Sequence, residues 1–145
     1  MKSLFKFVGI LSIIASMTTS VFAQNPSVYL DGVKLSFDVE PFIENDRTLV
    51  PMRGIFEAMG ATVSWEQSTK TVLATRKVDE VEKLVVLQIG NTKAFIDENP
   101  TELDVEAKIV NDRTFVPIRF IGEALGVDVD WNDEDRAVII TTKTE

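Results

Sequence analysis

Apolar and polar residues alternate along much of this chain, in short runs broken by Asn, Asp and Gly. A period of two marks strands that bury one face. Val28-Tyr29-Leu30 runs into Asp31-Gly32 and on to Val33-Lys34-Leu35, and Asp-Gly between apolar runs predicts a type I′ hairpin turn. Ala94-Phe95-Ile96 leads through a longer predicted turn, Asp97-Glu98-Asn99-Pro100, to Thr101-Glu102-Leu103. Phe42-Ile43-Glu44 turns at Asn45-Asp46 into Arg47-Thr48-Leu49-Val50, and Ile109-Val110 turns at Asn111-Asp112 into Arg113-Thr114-Phe115-Val116. Asn and Asp tolerate the left-handed backbone that such turns require.

After Pro51 and Pro117 the period changes to that of a helix. Met52, Ile55, Phe56 and Met59 form one stripe; Ile118, Ile121 and Leu125 form the other. Proline suits the first helical position, and Gly60 and Gly126 stand where a helix closes. A helix of about two turns is not stable alone, so each is expected to pack on a sheet. Alternation returns at residues 62–65 and 71–75, and again at 128–131 and 137–141. Residues 84–89 read as one more strand, and 76–83 as a charged connection.

These elements come twice. Asn45-Asp46-Arg47-Thr48 through Val50-Pro51 and Arg53 returns as Asn111-Asp112-Arg113-Thr114 through Val116-Pro117 and Arg119. The spacing is 66 residues (Asn45 to Asn111), and it holds at Glu57/Glu123, Gly60/Gly126 and Trp65/Trp131. Self-similarity over this length marks a duplicated supersecondary unit. The expected fold is α+β: two tandem pseudo-repeats, residues 24–79 and 80–145, each made of antiparallel β-hairpins wrapped around one short helix. The two are expected to form one compact domain.

Residues 1–23 read as a signal peptide. Lys2 and Lys6 precede an apolar run from Phe7, and Val21-Phe22-Ala23 offers small residues for cleavage after Ala23. Removing a leader with two lysines and no acid takes the net charge from −8 to −10. That acidity opposes nucleic-acid binding, which needs a basic surface. With no cysteine, the chain relies on packing and not on disulfides.

The repeated wording, Asn-Asp-Arg-Thr into Val-Pro, then Arg, Glu-Ala and Gly, then Val-x-Trp, resembles the copper amine oxidase N-terminal domain-like family, also called the stalk domain. Both copies match, over about residues 28–142. The resemblance implies an antiparallel sheet wrapped around a helix, in non-catalytic modules of exported and cell-surface bacterial proteins. Asp46 and Asp112 replace the glycine usual at that family's turn. The copper site of amine oxidases belongs to a different domain and uses histidine; this chain has no histidine. No cofactor and no metal is expected, and no catalytic residues: Ser-His and Cys-His pairs and phosphate-cradling glycine loops are all missing from the sequence.

Four residues remain as candidates for ligand binding: Trp65, Trp131, Arg53 and Arg119. Arg53 and Glu57, like Arg119 and Glu123, stand four apart on a helix. They read as solvated pairs, as bridges from helix to strand, or as contacts to a ligand anion. The tryptophans read as caps on the core or as platforms for sugar rings. Asp128, Asp130 and Asp133 resemble the start of a calcium loop, but Asp133 stands where that loop needs glycine and Ile139 where it needs glutamate. The functional expectation is an exported, non-catalytic module, secreted or associated with the cell envelope, that binds or spaces. Its partner would be cell-wall polymer, a glycan or an extracellular protein. The alternatives are a purely structural spacer, or a small secreted inhibitor or hydrolase.

Overall fold

The computed structural model describes residues 25–143; the expected signal peptide lies outside the described residues. In chain order the elements are β1 (Ser27–Leu30), β2 (Val33–Lys34), β3 (Phe42–Glu44), β4 (Arg47–Pro51), α1 (Met52–Ala58), β5 (Thr62–Glu66), β6 (Thr71–Val78) and β7 (Val81–Gln88). Then come β8 (Lys93–Ile96), β9 (Asn99–Glu102), β10 (Lys108–Val110), β11 (Arg113–Pro117), α2 (Ile118–Leu125), β12 (Asp128–Asn132) and β13 (Ala137–Thr141). The starts of β1, β3, β4 and β5 recur 66 residues later as those of β8, β10, β11 and β12.

The architecture corrects the expected pair of hairpin-and-helix repeats. The described residues are mostly β, in three sheets, ordered β12-β13-β1-β2, β10-β11-β4-β3 and β5-β6-β7-β8-β9. Every sheet takes strands from both halves of the sequence. β1 lies parallel to β13, with Ser27 opposite Ala137 and Leu30 opposite Ile140. The second sheet is joined by β4 against β11, where Val50 faces its own counterpart, Val116. The third runs from the first half's last hairpin through β7 into the second half's first hairpin. The physical reason is burial. A helix of two turns with its own hairpins encloses too small a core, so the halves exchange strands and share one. α1 packs on β11 as well as on β5, and α2 on β4 as well as on β12.

Turn chemistry explains where the strands reverse. Asp31-Gly32, Asn45-Asp46, Asp79-Glu80, Asp97-Glu98 and Asn111-Asp112 all hold both residues at positive φ, as type I′ hairpins demand. The turn after β8 is therefore two residues and not four, and Pro100 lies inside β9, an edge strand where its missing N–H costs no ladder bond. The charged stretch at 76–83 is not a connection between units. It forms the outer arms of the β6–β7 hairpin around Asp79-Glu80.

Val50, Met52, Ile55, Phe56, Val116 and Ile121 are fully buried in the core shared by sheets and helices, and Leu49 and Phe115 are fully buried as well, each stabilising the fold by about 1.5–3 kcal/mol. Pro51 and Pro117 end their strands and cap the helices without a side-chain bond. Gly126 closes α2 in the left-handed conformation, donating its N–H to the Gly122 carbonyl at 2.9 Å.

Candidate functional site

Beside α1 runs an open groove of about 780 Å³, within the range of roughly 300–1,000 Å³ usual for small-molecule sites. α1 supplies Arg53, Gly54 and Glu57; β5 supplies Ser64 and Trp65. The segment between β2 and β3 supplies Phe37 and Asp38, and the turn into β11 supplies Asp112 and Arg113. The far wall thus comes from the other half of the chain, carried there by the β4–β11 pairing.

Local packing fixes these positions. Phe37 lies directly on α1 at Gly54: a Cβ there would stand 2.9 Å from two of its ring carbons. Trp65 is half-buried against the core, and its indole N–H donates to Gln67 Oε1 at 2.8 Å. Arg113 donates to the Asp38 carboxylate in a close ion pair. Its guanidinium holds Asp38 below the usual carboxylate range, and Asp38 in turn raises the pKa of Arg113. Arg53 pairs with Glu57 at 3.4 Å, both exposed.

The equivalent place beside α2 is built differently. Arg47 donates to Asp104 at 3.2 Å, the counterpart of the Arg113–Asp38 pair. Arg119 also reaches Asp104, at 3.5 Å, instead of pairing with Glu123. Asp104 is thereby held by two arginines with 21% of its side chain exposed, against 71% for Asp38. Phe120, 2% exposed, occupies the position that Gly54 leaves bare. On β12, Trp131 is 40% exposed and donates to Asp133 at 3.3 Å. The Arg136 guanidinium lies 5.9 Å from its ring centre.

Of the four candidates, then, Trp65 and Arg53 meet in the groove, while Trp131 and Arg119 stand apart from it. Trp131 is not a core cap, and Arg119 bridges its helix to the segment after β9. Phe37, Gly54, Asp38 and Arg113 join the groove without standing out in the sequence as ligand-binding candidates. A signal for the aspartates existed: Asp38-Val39-Glu40 recurs as Asp104-Val105-Glu106 at the spacing of 66.

Among the described residues no three acids gather where they would hold a metal ion. Asp128 is drawn to Lys143 at 3.8 Å, Asp133 accepts from Trp131, and Asn132 caps the backbone of Asp135. Among the described residues, Asp31, Asp38 and Glu66 have carboxyls whose pKa is lowered. Hydrogen bonds from Thr142, Arg113 and Ser68 hold them ionised. A general acid at neutral pH needs the opposite shift.

Comparison with known proteins gives two findings. The family described as copper amine oxidase N-terminal domain matches residues 29–140. A Brevibacillus choshinensis protein described as "Protease inhibitor" is 28% identical over 94 residues, which is 63% of this chain and 27% of that protein. The chain spans about a quarter of the length of that relative. The donor set does not fit the metal in the family's description. Copper sites draw on imidazole, thiolate and thioether; this chain has no histidine or cysteine, and Met52 and Met59 are buried in the core.

Proposed function

The chain belongs to the copper amine oxidase N-terminal domain family, and from that premise we propose that it is an exported module that binds at the bacterial cell envelope or in the extracellular space, with the groove beside α1 as its binding face. The family's domain is a non-catalytic one, and binding asks only for a shaped, chemically varied surface on a rigid frame. The observation that carries this reading is the meeting of Trp65 and Arg53 in one groove walled by both halves of the chain. Export rests on the leader-like residues 1–23.

Retention of the purified protein on cell-wall sacculi and on wall polysaccharides tests the reading. Retention that falls when Trp65 is replaced, and not when Trp131 is replaced, supports it. No retention on any envelope fraction replaces it with a structural spacer. N-terminal sequencing of protein recovered from the culture medium tests export, with Gln24 expected first.

A second reading, protease inhibition, is favoured by the description of the Brevibacillus protein as "Protease inhibitor". Its test is the residual activity of secreted bacterial proteases mixed with equimolar protein. Full residual activity removes it.

A further inference from the structure

We propose that the groove takes a neutral saccharide, one pyranose ring lying on the Trp65 indole with its hydroxyls bonded by Arg53 and the neighbouring carboxylates. The inference rests on the groove being the binding face, as proposed above, and adds the chemical class of ligand.

Three observations carry it. The first is charge. Arg53, Lys70 and Arg113 line the groove together with Asp38, Glu57 and Asp112, three cations and three anions, on a chain whose net charge is −8. A balanced lining gives no long-range pull on a polyanion or a polycation, unlike a groove of one sign. Guanidinium forks and carboxylates side by side instead match hydroxyl groups, which both donate and accept, through charge-assisted hydrogen bonds.

The second is the aromatic. Trp65 lines the groove with its N–H committed to Gln67, which limits rotation of the ring. A fixed, amphipathic aromatic surface suits the apolar face of a sugar. Arg53 lines the same groove from the helix.

The third is the contrast with the equivalent residues of the other half. There Phe120 is buried at the position of Gly54, Arg119 is drawn to Asp104 and Arg136 lies over Trp131, whereas Arg53 pairs with Glu57 with both side chains exposed and Trp65 lines the same groove. Equivalent positions thus present different groups, and the cleft beside α1 is lined by the set that includes Arg53, Gly54 and Trp65.

The test is a titration of isotope-labelled full chain, followed by amide NMR shifts, with cellohexaose, chitohexaose and the anionic hexagalacturonate. The neutral hexamers are expected to shift the amides of Arg53, Gly54 and residues 64–67. Arg53→Ala should weaken them about tenfold, and Trp131→Phe should leave affinity unchanged. Because Arg53 is exposed and outside the core, its loss does not threaten folding. Retention on sacculi is scored separately. Shifts with hexagalacturonate alone overturn the neutral class and leave the groove as binding face. No shift with any hexamer, while sacculi still retain the protein, overturns the saccharide and leaves a binding module. Shifts confined to the hairpin around Trp131 overturn the groove itself.

Discussion

On α1 the middle of the helix reads Gly54-Ile55-Phe56; on α2 it reads Phe120-Ile121-Gly122. The same two residue types have changed places on the same frame. Around each, the partners change in the compensating direction. Bare Gly54 receives the ring of Phe37, whereas Phe120 has the smaller Leu103 at the equivalent place. Phe56 is matched by Ala61, while Gly122 is approached by the Val127 carbonyl and by Val129, both 3.2 Å from where a Cβ would stand. The lesson is that the fold fixes summed volume and leaves open which position supplies it. That latitude lets equivalent positions of the two halves present different side chains on one frame.

The contrast predicts a ranked set of effects. Phe120→Ala should cost about 3–5 kcal/mol, because it empties a buried aromatic site. Phe37→Ala, at the half-exposed equivalent, should cost markedly less in a denaturant melt. Equal losses would break the claim that the second half is the packed one. Gly54→Phe should cost about 1–3 kcal/mol through overpacking. Adding Phe37→Leu, which copies the pairing of the other half, should restore most of it. A double-mutant cycle without coupling would separate the two positions.

A smaller effect concerns the first hairpin of each half. Gly32 and Glu98 are equivalent, and both hold positive φ, 85° and 70°. Only glycine does so without strain. Glu98→Gly should therefore stabilise by about 1 kcal/mol, and Gly32→Glu should destabilise by a similar amount. Asp104→Ala, which removes the carboxylate shared by two arginines, should lower stability by about 1 kcal/mol. Asp38→Ala should lower the melting temperature less.

The last effect is one of pH. Asp31 and Asp38 have folded pKa values below their unfolded ones. Their contribution is complete above the unfolded value, about 3.9, and is lost as pH falls through the lowered folded value. Melting temperatures should hold from neutrality to about pH 4.5 and then fall. Asp31→Asn should flatten part of that acid limb, and an unaltered limb would show that the Thr142 bonds to Asp31 do not couple to folding.

Most of the elements were legible in the sequence because they follow from local chemistry. The Asn-Asp turns, the prolines ahead of each helix and the closing glycines act over a few residues. Strand partners were not legible. The period of two in Val28-Tyr29-Leu30 shows a strand with a buried face; nothing in it names Ile140, 110 positions on, as the neighbour of Leu30. The same limit governed the site. Trp65 and Arg53 stood out by type and repetition, but their meeting with Arg113 depends on Val50 facing Val116, a tertiary fact. The charged stretch at 76–83 misled because charge resembles a linker. Here it belongs to the outer arms of a hairpin, whose tip is exposed while Arg76 reaches back to the Leu125 carbonyl at 3.3 Å.

The parallel pairing of β1 with β13 also decides how the molecule answers to tension. A pull through the segments before Ser27 and after Thr141 drives these two strands in opposite directions along their shared axis. Their hydrogen bonds are then loaded together, in shear, and must yield as a group. An antiparallel pair pulled from one end would open bond by bond, like a zip. The exchange of strands between the halves thus places a mechanical clamp between the two ends of the described chain.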